Sequence, residues 1–146
     1  MSQFVDNVRQ DIERHGCSVI FVGDEDPPFA YTVGLWERNR HAELIIFGLS
    51  GQVMANILNA IARKAGEGVT FSSLTYLPDV GGKFGVKVVP IHEAGLSQYF
   101  GFALGYYEGP FPAAQVIWPD SAGAFPGDVH YNSDYAEVQP ILKAVA

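Results

Sequence analysis

The sequence predicts an α+β domain with a largely antiparallel sheet packed by two or three helices. Three observations predict it. Strand-like runs come in groups and do not alternate strictly with helices, which argues against a doubly wound parallel sheet. Apolar residues recur at helical spacing in separate blocks near the start, in the middle and late in the chain. Two β-rich runs flank the turn-formers Pro78-Asp79-Val80-Gly81-Gly82 and read as an antiparallel hairpin.

In order, Phe4, Val5, Val8 and Ile12 share one helical face and Asp6, Asp11 and Glu13 another, predicting an amphipathic helix over 3–15 that stops at Gly16. Cys17–Val22 (CSVIFV) reads as a strand, and Asp24–Pro28 (DEDPP) as a charged loop. Phe29–Leu35 and Glu43–Phe47 are the next strands, and the polar WERNRH between them predicts a hairpin connection. Ser50 is placed to cap a helix over 51–65, whose stripe is Val53, Ile57, Leu58 and Ile61. The hairpin runs are Val69–Leu77 and Lys83–Ile91. Leu96–Tyr107 fits a helix weakened by Gly101 and Gly105, which could also admit another backbone closely. Residues 113–118 form a last strand, and 129–146 a loose tail with a short helix around 137–144. The whole of 1–146 reads as one domain, without repeat or linker.

Composition bounds the function. A chain of 146 residues should bury about 68–70% of its unfolded surface and needs no covalent staples. Hydrophobic residues make up 48% and charged residues 17%, which is a globular balance. Ten Phe, seven Tyr and two Trp exceed what one core of this size requires, so some rings are free to line a cleft. The net charge of −7, with no basic run longer than Arg63-Lys64, speaks against nucleic-acid binding. A single cysteine, Cys17, and an N-terminus without an apolar signal core predict a cytoplasmic protein. The longest apolar run, Leu44–Leu49, is too short to span a membrane.

Four features carry candidate chemistry. Gly48-Leu49-Ser50-Gly51 has the strand-to-helix setting of a nucleophile elbow, but Gln52 stands where the motif needs glycine. Ser50 is therefore read as a helix cap. His41 and Glu43 lie two apart at a strand head, where a neutral imidazole beside a carboxylate makes an acid–base pair. A solvated strand end with Arg38 and Arg40 as charge partners is the plainer alternative. Thr32 shares a strand face with Ala30 and Gly34, and these small residues leave room for a helix, a strand or a ligand. Finally, Val116–Asp128 (VIWPDSAGAFPGD) ends a strand at Trp-Pro and turns at Asp120 and Gly123. Trp118, Asp120 and Phe125 form either a rigid loop pinned by Phe125 or a stacking ledge with one polar anchor. His15, His41, His92 and His130 lack metal-ligand spacing, so no metal and no cofactor is predicted.

PPFAYTVGLWERNRHAELIIFGLS (27–50) together with VIWPDSAGAFPGD (116–128) resembles the bacterial domain-of-unknown-function family 4262. The likeness covers about 27–128, with the motifs in the right order. Ala42 replaces a usual proline, Ala124 a basic residue and Gly127 an aromatic. The family brings no established activity.

The expectation is thus a domain binding a small molecule or a protein partner at strand ends. Thr32, Gly34, His41, Glu43, Trp118, Asp120 and Phe125 are the candidate residues. An acid/base enzyme of hydrolase type, with His41 as base oriented by Glu43 or Asp120, is the competing reading. A flavin-binding split barrel (though without a phosphate clamp) and a homo-oligomer packed through the Gly101/Gly105 helix are further alternatives.

Overall fold

The computed structural model describes residues 2–145. Helix α1 (Gln3–His15) starts at Ser2, whose hydroxyl accepts from the Val5 N–H, and stops at Gly16 in the left-handed region, φ +88°. Strands β1 (Ser18–Val22), β2 (Phe29–Val33) and β3 (Glu43–Phe47) follow, with helix α2 (Leu35–Asn39) between the last two. Next come α3 (Gly51–Gly66), β4 (Thr75–Leu77), β5 (Val86–Ile91), α4 (Leu96–Tyr99), α5 (Gly101–Tyr107) and β6 (Ala113–Ile117). The six strands form one sheet in the order β1-β2-β3-β6-β5-β4. Only β3 and β6 run parallel; every other pair is antiparallel.

Both faces of the sheet are covered. On one, Met54, Leu58 and Ile61 of α3 pack on Ala30, Leu44, Ile46, Val88, Ala114 and Val116. On the other, Val8 and Ile12 of α1 and Phe100 and Ala103 of the α4–α5 region pack on Phe29, Tyr31, Val33, Ile45, Phe47 and Ala113. This explains why ELIIF and AAQVI read as nearly continuous apolar runs: every residue of β2, β3 and β6 is buried. The sheet is open, with β1 and β4 at opposite edges, and is not a split barrel.

Several local expectations are corrected. WERNRH is no simple hairpin turn: its first residues wind into α2, and β2 stops at Val33 because Gly34 turns to φ +119°. The run 69–77 keeps only Thr75–Leu77 as strand, and Phe71 leaves the sheet to pack in the core. The helix over 96–107 breaks at Phe100, whose φ of −99° and ψ of 40° interrupt the hydrogen-bond ladder. A Cβ at Gly101 or Gly105 would meet nothing within 4 Å, so no backbone among the described residues packs closely against them.

The C-terminal segment is not loose, and its short helix is a 3-10 turn at Ser133–Ala136. The Gln139 amide accepts from the Trp118 N–H at 2.8 Å and donates to the Trp118 carbonyl at 3.0 Å. The Gln115 amide holds Pro140 O at 2.8 Å and Leu142 N at 2.9 Å. Two buried side-chain amides thus do what a strand ladder would do, and Ala144 bridges Ile91.

Candidate functional site

The carboxylate of Glu43 organises the start of β3. Oε1 accepts from the Thr32 hydroxyl at 2.7 Å and the Leu35 N–H at 3.3 Å. Oε2 accepts from the Gly34 N–H at 3.0 Å, the Trp36 N–H at 3.1 Å and the Tyr107 hydroxyl. The first amides of α2 would otherwise lack acceptors, and Glu43 supplies them from inside the protein. Thr32 Oγ1 in turn accepts from Leu44 N at 2.9 Å, tying the strand to the cluster. Burial pushes the Glu43 carboxyl above its ordinary value, while the Tyr107 and Thr32 hydroxyls and the Trp36 and Gly34 amides pull against that shift.

Thr32 and Gly34 therefore do not wall a cleft. Thr32 is fully buried, α3 fills the space beside Ala30, and a Cβ at Gly34 would sit 2.8 Å from Ile12 Cγ1. With five donors on two oxygens, Glu43 has no lone pair left for a substrate.

His41 has a different environment. Arg40 takes a left-handed conformation, φ 51°, and closes α2 through its N–H to Leu35 O and Trp36 O. The chain then runs back so that the Glu43 N–H meets Pro112 O at 3.0 Å. His41 is 5% exposed, with its ring edge-on to Phe71 at 5.3 Å. Its Nδ1 lies 2.7 Å from the Ala42 carbonyl oxygen, which can only accept, so Nδ1 carries a proton and Nε2 of the neutral ring carries the lone pair. Nε2 is buried and has no hydrogen-bond partner. The residue lines a cavity of about 650 Å³ together with Phe71, Ile91, His92, Phe111 and Pro112. Neither Glu43 nor Asp120 bonds the imidazole, so the orienting acid of the enzyme reading is replaced by a backbone carbonyl.

The second motif block lies elsewhere. Glu43 pairs with Ala113 in the parallel β3–β6 ladder, so Trp118 and Asp120 fall beyond the opposite end of the strands. Five residues of strand, roughly 16 Å, separate the two levels. At that far end the Trp118 indole N–H donates to Phe47 O at 2.7 Å. Asp120 Oδ1 accepts from Ala122 N and Ala124 N, and Oδ2 from Asn132 N at 2.8 Å. Those amides, Asn132 first, hold its carboxyl below the ordinary carboxylate range. Gly123 takes φ +92°, where a Cβ would lie 2.7 Å from Phe84, and Phe125 packs edge-on against Tyr76 with Lys87 4.5 Å from its ring centroid. Trp118 and Asp120 do line a second cavity, of about 560 Å³, but their polar atoms are already occupied. The structure thus divides the seven candidate residues into a buried hub (Thr32, Gly34, Glu43), a cavity-lining imidazole (His41) and a distant loop (Trp118, Asp120, Phe125).

Sequence reasoning missed Tyr107, Gln115 and Gln139. A lone Gln inside the apolar run AAQVI was the readable signal for Gln115, since a polar side chain in a buried strand must have partners. Ser50 caps α3 through Val53 N at 3.2 Å, as its position before the helix indicated. Among the described residues no group of three or more His, Cys, Asp and Glu gathers, and no helix is long and apolar enough to cross a membrane.

These features define an α+β domain on an open six-stranded sheet, braced by a buried carboxylate and carrying at a cavity an imidazole with one unpartnered nitrogen. The chain belongs to the family described as Domain of unknown function (DUF4262), which it matches over residues 11–132, from inside α1 to beyond the Asp120 loop. No curated protein and no solved structure matches it.

Proposed function

We propose that the protein binds a small molecule in the His41 cavity. The observation that carries this reading is the buried Nε2 of His41. A polar atom without a partner in a folded interior is uncommon and costs about 1–3 kcal/mol. A cavity of about 650 Å³ is within the range of small-molecule sites. Its lining is largely apolar, with a few polar groups, and suits a ligand with an apolar body and one hydrogen-bond donor directed at Nε2.

Native mass spectrometry of the freshly purified chain comes first, followed by a compound screen read as thermal shift on wild type and His41→Phe. Expected is a retained mass, or a donor-bearing compound that raises the wild-type melting temperature and leaves His41→Phe unmoved. The 15N resonance of His41 Nε2 should move on binding. A bare chain, together with thermal shifts identical in the two proteins, would overturn the reading. The same lone pair favours a second reading, general-base catalysis by His41 alone. It requires a turnover that His41→Phe abolishes without loss of stability.

A further inference from the structure

A third cavity, of about 550 Å³, opens beside the His41 cavity, and Arg40 and Pro110 line both. Three arginines converge on it: Arg9 from α1, Arg38 from α2 and Arg40 just after α2. They are three of only nine Lys and Arg in a chain of net charge −7. Chance scatter of so few cations over an acidic surface would not be expected to gather a third of them at one depression.

Among the described residues no carboxylate forms an ion pair with any of the three arginines. Glu13 and Glu37 line the same cavity. Yet among the described residues the only ion pair within 4 Å is Lys64–Asp79, elsewhere on the molecule. Glu37 instead accepts from the Tyr106 hydroxyl at 2.8 Å. The Arg38 guanidinium donates to Ile12 O at 3.2 Å, and that of Arg40 stands 5.0 Å over the Trp36 ring. Arg40 also occupies a left-handed backbone position that Gly or Asn fills more cheaply. An arginine kept there at a conformational cost points to use of its side chain.

We infer that this cavity is a binding site for a small oxyanion, a carboxylate or phosphate group, held by Arg9, Arg38 and Arg40. Guanidinium groups match both anions in geometry and make charge-assisted bonds to them. The site is separate from the His41 reading and shares with it only the rim formed by Arg40 and Pro110.

The test titrates the full chain with inorganic phosphate and, in a parallel arm, malonate, each against sodium chloride at matched ionic strength. Trp36, beneath Arg40, reports through its fluorescence and its indole 1H–15N resonance, while Trp118 at the other end of the sheet serves as the internal control. Expected is a saturable response of Trp36 to at least one anion, weakened about tenfold or more in Arg40→Gln and in Arg9→Gln. Both substitutions are at exposed positions and should leave the fold intact. A response to malonate alone assigns the carboxylate class, and one to phosphate alone the phosphate class. A Trp36 response no larger than that to chloride, or binding unchanged in Arg40→Gln, would overturn the inference.

Discussion

Replacing Glu43 by Gln changes one atom and separates a structural carboxylate from a catalytic one. Five donors converge on the two oxygens: the Thr32 and Tyr107 hydroxyls and the Gly34, Leu35 and Trp36 amides. Glutamine offers one oxygen. With that oxygen toward Gly34, Trp36 and Tyr107, the new NH2 group faces the Leu35 N–H and the Thr32 hydroxyl. Thr32 can rotate to accept, but its own O–H then loses its acceptor, so two buried donors go unsatisfied. At about 1–3 kcal/mol each, the gross loss is about 2–6 kcal/mol. Relief from burying a charge offsets part of it, leaving a net loss of about 2–4 kcal/mol at neutral pH. For a domain of this size that lowers the melting temperature by about 4–16 °C. Tyr107→Phe removes one donor to Glu43 and also the acceptor of the Gly34 and Glu37 N–H groups, and should cost about 1–3 kcal/mol. Thermal melts followed by far-UV circular dichroism measure both. The pH dependence adds a sign. Because burial raises the carboxyl of Glu43, its contribution is fully present below its unfolded value of 4.5 and is lost as pH rises through the higher folded value. The gap between wild type and Glu43→Gln should therefore be widest in acid and narrow toward neutrality. A variant that melts with wild type would refute the hub, whereas a gap that widens as pH rises would show that hydrogen bonding to the ionised carboxylate outweighs its burial.

Three further outcomes are expected. Asp120→Asn should melt below wild type at neutral pH. Because the carboxyl of Asp120 is depressed, its contribution is present above the unfolded value of 3.8 and is lost as pH falls through the folded value, so the gap should close in strong acid. A gap of equal size at both extremes would show that the loop does not depend on the charge. Gln139→Ala should cost about 2–4 kcal/mol by stranding the buried N–H and C=O of Trp118, and that amide should become the fastest-exchanging one at the end of β6 in hydrogen exchange. Unchanged protection would mean that the C-terminal segment is docked by other contacts. Gly34→Ala should destabilise by about 1–3 kcal/mol through its left-handed backbone, and further because the Cβ would meet Ile12 at 2.8 Å. Chemical denaturation settles it, and a neutral result would mean that α1 yields.

What could be read from the sequence followed the physics of repeating patterns. Helical spacing at Phe4, Val8 and Ile12, the Ser50 cap and the β-rich runs belong to one element each, and a periodic signal reports the element that carries it. The break at Phe100, the winding of WERNRH into α2 and the docking of the C-terminal segment depend on partners far along the chain. The Trp118–Gln139 and Gln115–Pro140 pairs, for example, join residues whose proximity no local pattern encodes.

The candidate site shows the same division. Glu43, Asp120 and His41 are alike in the sequence, each a polar residue within a few positions of an apolar strand. Burial alone does not separate them either, since all three are at most 5% exposed. The difference lies in how fully each is satisfied. Glu43 and Asp120 spend their oxygens largely on the backbone amides of the segments that follow β2 and β6, so their charge serves shape: each carboxylate supplies acceptors that an apolar end could not, at a helix start in one case and a turn in the other. His41 spends one nitrogen on its neighbour's carbonyl and keeps the other. A polar atom left over after the fold has met its own needs is available for something outside the fold, and among these three residues only the imidazole has one.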